Sequence, residues 1–361
     1  MTYHLPNTIQ MNLHNWRQFE VADFEIDIRQ SFAIVDANGS GKTSILAAIY
    51  SLLTSQSWPG TKFVSSLKQG EQYFGISTQD KEWFLSGRIN NYGRLIPAYS
   101  SKFDILPKVI TYQTRDNYWL LQPRETKLKE LDILLSQINP QNYKQLINQQ
   151  NHILRAKLNL LKHQREQNLI DYSLLFDLNL KLLNVSQQIW SIRQDFFKFI
   201  DSSMLIINNW LDLESNLRIH ARHEISNFNG VRQNIETINE INLEQLNQLW
   251  PREIQSGKLL FGSQRDNFVF EIQRQPLESY FSSGQLRLFT IFLKVLSANF
   301  NADEKIPIWF LFDDVLEELD SKRQQIIADQ ILSQGSYFIL TSSRNKIPPN
   351  IIQKSVSELR G

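Results

Sequence analysis

The stretch that most limits what this chain can fold into is AIVDANGSGKTSILAAIYSLL, Ala33 to Leu53. It sets Gly41-Lys42-Thr43 between an apolar run (Phe32, Ile34, Val35) and a segment with helical apolar spacing (Ile45, Leu46, Ile49, Leu52). Strand, glycine loop, helix is the context in which a backbone cradles phosphate groups. The N–H groups of Asn38, Gly39, Ser40, Gly41, Lys42 and Thr43 can wrap a β-phosphate, and the following helix offers its positive end. Lys42 would reach the β- and γ-phosphates, and the Thr43 hydroxyl would sit on Mg²⁺. The candidate nucleotide-binding stretch runs from Asp36 and Ala37 through Thr43 to Ser44. Its first position departs from the pattern G-x-x-x-x-G-K-[ST], because Asp36 stands where glycine is usual. A carboxylate pointing inward at about 5 Å would weaken phosphate binding by about 1–3 kcal/mol. One pointing outward, or capping backbone amides of the loop, would cost little. The inward arrangement predicts that Asp36→Gly tightens nucleotide binding.

Composition excludes several classes. The 361 residues contain no Cys, which rules out disulfides, thiolate metal sites and cysteine nucleophiles and fits a reducing cytosol. The six His show no ligand spacing. The N-terminal text lacks a basic end followed by an apolar run, so no secretory signal is expected. No stretch approaches the roughly 18 apolar residues of a membrane span. Net charge is +1, so contact with nucleic acid would need a local patch.

Short alternating runs to Val35 read as strands, and glycines punctuate a mixed strand-and-turn region from 61 to 112. From Pro123 to about Asn227 there is one internal Pro, at 140, and no Gly, and the apolar spacing is helical. This segment is expected to be an all-helical insertion. Strand-like text returns at about 258, a helix follows SSGQ, and IPIWFLF is a continuous apolar run ending in Asp313-Asp314. The pattern divides the chain into mixed strand-and-helix text in two parts, 1–122 and 236–361, with an all-helical insertion, 123–235, between them.

Acids at the end of a buried strand hold Mg²⁺ beside phosphates in this fold class. Asp313 would support the metal, and Asp314 could polarise an attacking water. In isolation the pair also suits a helix cap. Ser282, Ser283, Gly284 and Gln285 open a helix, where they read equally as a phosphate contact or an N-cap.

In this order the motifs resemble the RecF family, within the SMC group of ABC-type ATPases. LLFGSQRDNFVFEI is similar to its G-P-H-R-D-D segment, YFSSGQLRLFTIFLKV to its signature helix, and IWFLFDDVLEELDSKRQQ to its Walker B and D-loop. The stretch after the first helix and the start of the arm are similar too. The chain departs from the family at Asp36, at Ser263-Gln264 for Pro-His, and at Asn267 for the second Asp. The fold class implied is α/β, a P-loop ABC-type ATPase head with an inserted all-helical arm.

The resemblance implies ATP with Mg²⁺ and an ATP-dependent homodimer. Ser282, Ser283, Gly284 and Gln285 of one copy would touch the γ-phosphate held at the other's Lys42, with Asp320 at the seam. Gln113 would sense γ-phosphate and water, and Arg17 would lie near the nucleotide. Closure would clamp duplex DNA or single-strand/duplex junctions, and slow, DNA-stimulated hydrolysis would release it. RecO- and RecR-like partners would join in loading recombinase, in the cytoplasm and with no membrane. Candidate phosphate contacts are Arg155, Lys157, Lys162 and Arg165 on the arm, and Lys62 and Lys68 on the head. The alternative is a degenerate DNA-binding module with little or no hydrolysis. The eight Trp are expected in the core.

Overall fold

The computed structural model describes residues 8–27, 30–69, 71, 73–78, 83–89, 95–101, 108–167, 171–211, 218–226, 232–234, 243–301, 306, 308–317, 319–333, 337–343 and 347–360. The chain forms two compact units, Met1–Asn117 with Asn301–Gly361, and Tyr118–Phe300.

The first unit holds two sheets. Strands β1 (Thr8–Trp16), β2 (Phe19–Asp27), β4 (Tyr73–Thr78), β5 (Trp83–Ile89) and β6 (Leu95–Ser101) form an antiparallel sheet in the order β2-β1-β4-β5-β6. β1 alternates cleanly, with Ile9, Met11 and Leu13 buried and Gln10 exposed, as one solvated face requires. The second sheet is parallel, in the order β14 (Ile352–Lys354), β3 (Phe32–Val35), β13 (Tyr337–Ser342), β12 (Ile308–Phe312), β7 (Lys108–Tyr112). Its strands read as continuous apolar runs because the central ones are covered on both faces: Trp309, Phe310, Leu311 and Phe312 are all buried.

Helix α1 (Lys42–Thr54) packs against strands of both sheets. This explains why it is apolar all round: Ile45, Leu46, Ala47, Ala48, Ile49, Leu52 and Leu53 are buried. It starts at Gly41, left-handed at φ 108, and stops at Ser55, also left-handed, whose N–H donates to the Ser51 carbonyl. Helix α8 (Ser321–Ser333) and the short α9 (Val356–Leu359) complete this unit.

The second unit is built on α2 (Arg124–Ile138), α3 (Tyr143–Gln167) and α4 (Tyr172–Trp210), with α5 (Leu243–Gln248), α6 (Trp250–Ser256) and α7 (Ser283–Ser297). Asp171 caps α4 by accepting the Leu174 N–H. The unit also carries an antiparallel sheet, β11 (Gln275–Pro276), β10 (Asn267–Ile272), β8 (Ile219–Ser226), β9 (Arg232–Asn234). Two of these strands, β8 and β9, fall inside the segment 123–235 expected to be wholly helical. IHARHEIS has period two, with Ile219 and His223 buried and Arg222 exposed, and it pairs with β10 from Ile219↔Ile272 to Glu224↔Asn267. The want of Gly and Pro there removed breakers without making a helix. By packing, the elements from α5 to α7 group with the arm helices.

A buried polar network fastens this unit. The Arg193 guanidinium, fully buried, pairs with Asp132 at 2.6 Å and with Asp266, donates to the Ser263 carbonyl at 2.7 Å, and meets the Tyr143 hydroxyl at 2.9 Å. Asp266 also accepts from the Trp190 indole at 2.9 Å and faces His223. Three surrounding polar groups hold the Arg193 charge against its burial, which is why its pKa stays well above the usual range.

Candidate nucleotide site

The loop between β3 and α1 is braced from several sides. Its glycines are left-handed at Gly39 (φ 84) and Gly41 (φ 108), and a methyl on Gly41 would overlap the Phe19 ring and the Gln18 amide. The Gln18 amide donates to the Gly39 carbonyl at 3.1 Å and accepts from the Ser44 hydroxyl at 3.0 Å. The Trp16 indole donates to the Ser44 carbonyl at 2.9 Å. The β1–β2 hairpin turn thus sets the shape of the loop.

Lys42 is buried and folds back over the loop, donating to the Asp36 and Ala37 carbonyls at 2.7 and 2.9 Å. The Asp36 carboxylate takes the Ala37 N–H at 2.8 Å and the Val356 N–H at 3.1 Å. This is the amide-capping arrangement, and Asp36 has no positive φ that would demand glycine.

The acids stand at the C-terminal ends of the parallel strands. The Thr43 hydroxyl lies 2.9 Å from both Asp313 oxygens, and the Asp313 N–H donates to the Tyr112 carbonyl at 2.8 Å. Burial raises the Asp313 pKa, opposed by the Thr341 and Thr43 hydrogen bonds and by Arg17 and Lys42. Asp314 is left-handed at φ 52. Its pKa is pushed up to about 6, first by burial and then by Asp313 and Glu317.

Thr341, at the end of β13, joins the two acids. Its hydroxyl donates to Asp313 Oδ1 at 2.7 Å and accepts the Asp314 N–H at 2.9 Å. Glu317 accepts from the Ser343 backbone at 2.9 Å and from the Ser343 hydroxyl. Sequence reasoning missed Gln18, Thr341 and Ser343. The polar end of SYFILTSS, in line with Asp313 on the neighbouring strand, was the available signal.

One unit thus brings together the loop Asp36–Ser44, Asp313, Asp314, Gln113 and Arg17. Gln113 follows β7 beside Asp313, and its side chain donates to the Pro59 carbonyl at 3.1 Å. Arg17 sits in the hairpin turn at φ 51, its pKa lowered by burial against the pull of Asp313. Asp320 caps α8 by accepting the Arg323 N–H at 2.9 Å. Ser282–Gln285 belong to the other unit and open α7 with a capping box, Gln285 Oε1 accepting the Ser282 N–H at 3.0 Å.

A triphosphate with Mg²⁺ fits the residues present. Among the described residues, Arg17 Nε, under the influence of Asp313, and Ser40 Oγ, within the loop, are buried polar atoms with no hydrogen-bond partner. Thr43 and Asp313 offer the hard oxygen donors that Mg²⁺ prefers.

Among the proposed DNA contacts, Lys157 is corrected: it is buried at 1% exposure and pairs with Glu253 at 3.2 Å. Its place on the inner face of α3 was hidden because the helix carries cations on both faces. Arg155, Lys162 and Arg165 are exposed on α3, and Lys162 lies 3.7 Å from Glu166. Lys62 is exposed, and Lys68 pairs with Glu20 at 2.6 Å. Trp16, Trp58, Trp119, Trp190, Trp250 and Trp309 are buried, as core residues. Among the described residues no helix is long and apolar enough to cross a membrane.

The parallel sheet, the phosphate loop and the long arm helices define a P-loop ATPase head of the ABC type. The family model for the P-loop containing region of AAA domain matches residues 9–64. The chain is RecF-like over nearly its whole length. The DNA replication and repair protein RecF of Flavobacterium johnsoniae is 26% identical over 351 residues, 91% of this chain and 92% of its own. That of Geobacillus thermodenitrificans is 24% identical over 363 residues, 96% and 95% of the two chains. The fold is similar to that of the recombination mediator protein RecF of the RecFOR pathway solved with ATP, with a TM-score of 0.72 at 21% identity over 93% of each chain. A second structure of that mediator, RecF-ATPrS, gives 0.76 at 20% identity over 97% of this chain and 95% of the other.

Proposed function

We propose that this protein is an ATP-switched DNA-binding ATPase of recombinational repair. The observation that carries the reading is the meeting of Lys42, Thr43, Asp313 and Asp314 at the ends of parallel strands, with Thr43 against Asp313 at 2.9 Å. The protein's RecF-like relatives supply the repair context.

In this reading the Asn38–Thr43 amides and Lys42 hold the phosphates. Thr43 and Asp313 would hold Mg²⁺, which would supply positive charge to offset that of the phosphates. Asp314 accepts a proton from the water that attacks the γ-phosphorus. The new O–P bond forms as the β–γ bridging bond breaks, leaving ADP and phosphate. A carboxyl pushed up to about 6 suits that work near neutral pH. Gln113 and Arg17 orient water and nucleotide.

Two copies close on ATP, each offering Ser282, Ser283, Gly284 and Gln285 to the other's γ-phosphate, with Asp320 at the seam. Ser282 and Ser283 are exposed, as such a role requires. Closure clamps duplex DNA or a single-strand/duplex junction, and hydrolysis, weak and DNA-stimulated, releases it. Phosphates are met by exposed arm cations such as Arg155, Lys162 and Arg165. RecO- and RecR-like proteins complete the loading of recombinase, in the cytoplasm. The phosphate loop, the acid pair and Ser282–Gln285 work the switch, and the arm helices add DNA contact.

The test is ATP turnover with and without gapped DNA, for the wild type and Asp314→Asn. The reading expects DNA-stimulated turnover, lost in Asp314→Asn with nucleotide binding retained. ATP and DNA binding without turnover would favour the non-hydrolysing module.

A further inference from the structure

Asp36 does more than avoid the phosphates. Three of its groups make four hydrogen bonds at once. Its N–H donates to the Ser342 carbonyl at 3.2 Å, and its carbonyl accepts from Lys42 at 2.7 Å. Its carboxylate accepts the Ala37 N–H at 2.8 Å and the Val356 N–H at 3.1 Å. The last bond crosses from the loop to the segment 352–360, and glycine, the usual residue at this position, could not make it.

The segment is fixed to the same region by other contacts. β14 pairs with β3 up to Lys354↔Ile34, next to the loop. Ser355 then turns the chain into α9 with a capping box, and Val356 and Leu359 are buried in the core with α1. Arg360 lies over the Phe19 ring at 5.8 Å, and Phe19 fills the space that Gly41 leaves open. The loop therefore rests on this segment at both ends, through Asp36 at its start and through Phe19 at Gly41.

We propose that Asp36 is a positioning residue, a latch that couples the phosphate loop to the C-terminal segment 352–360. Nucleotide binding and order in that segment then rise and fall together. The inference rests on the nucleotide reading above. It reverses the expectation drawn from crowding: removing the carboxylate weakens nucleotide binding, because the loop loses its hold on α9.

The test uses the full chain and a fluorescent ATP analogue with Mg²⁺, with hydrogen exchange followed peptide by peptide. Asp36→Asn keeps an acceptor oxygen and removes the charge, and Asp36→Gly removes the side chain. The expected result is affinity weaker by roughly fivefold in Asp36→Gly and by less in Asp36→Asn. Exchange over 352–360 rises in both variants without nucleotide. Nucleotide slows that exchange in the wild type and slows it less in the variants. Tighter binding in Asp36→Gly would overturn the latch, as would exchange over 352–360 identical in wild type and variants. A wild type that binds no nucleotide defeats the ATP reading instead. The exchange comparison without nucleotide then still decides whether Asp36 holds the segment.

Discussion

Thr341→Val isolates one hydroxyl at the centre of the acid pair. Thr341 is fully buried, and valine keeps its shape. The change removes the 2.7 Å bond to Asp313 and the acceptor for the Asp314 N–H at 2.9 Å. One bond to a charged group and one to a backbone amide are together worth about 2–4 kcal/mol. Asp314 sits at φ 52, a backbone conformation costing about 1–3 kcal/mol that its surroundings must hold in place. Without Thr341 that hold weakens, and the Asp314 carboxylate drifts from its position. Turnover should fall roughly ten- to hundredfold. Nucleotide affinity should change by less than about threefold, since the Lys42 and Gly41 contacts are untouched. Thr341→Ser restores the hydroxyl and should recover most of the turnover. Steady-state phosphate release, with affinity measured separately by titration, reads both quantities. Wild-type turnover in Thr341→Val would refute the reasoning, as would a loss that Thr341→Ser fails to repair.

Gly41→Ala puts a methyl into the Phe19 ring at a left-handed φ of 108, so nucleotide affinity measured by titration should drop at least about tenfold. Lys157→Ala strands the buried Glu253 and should lower stability by about 3–5 kcal/mol in denaturant unfolding. Arg155→Ala with Lys162→Ala should instead leave stability within about 0.5 kcal/mol of the wild type, while flattening the salt dependence of DNA affinity. For pH, Asp314 at about 6 loses its proton-accepting form as pH falls, so turnover should decline below about pH 6. The stability effect has the opposite sign. A carboxyl raised above its ordinary 3.8 is held at a cost when ionised, a cost fully present above about 6 and fading as pH falls toward 4. A pH series of wild-type turnover reads the first trend, and Asp314→Asn should flatten the second, read by a pH series of melting temperature.

The site's skeleton could be read from the sequence because it lies in local pattern. Gly41-Lys42-Thr43 after an apolar run, and Asp313-Asp314 after another, report strand, loop and helix from neighbouring residues alone. What joins them could not be read that way. The Thr43–Asp313 contact spans 270 positions, and Thr341 looks like the tail of a strand until β13 lies beside β12. Asp36 carried an ambiguity of direction, and Val356, 320 positions away, resolves it. Lys157 was misjudged because its partner Glu253 comes from another helix. In β8, a run free of Gly and Pro let a strand pass for helix; its period-two burial comes from pairing with β10.

The switch requires an ATP-driven pairing of two copies, so solution mass by light scattering tests it most directly, with Mg²⁺ and ATP, with ADP, and with no nucleotide. The predicted result is twice the 42.4 kDa chain mass with ATP and one chain mass otherwise, with Lys42→Ala monomeric throughout. A single-chain mass under all three conditions, with and without gapped DNA, would contradict it.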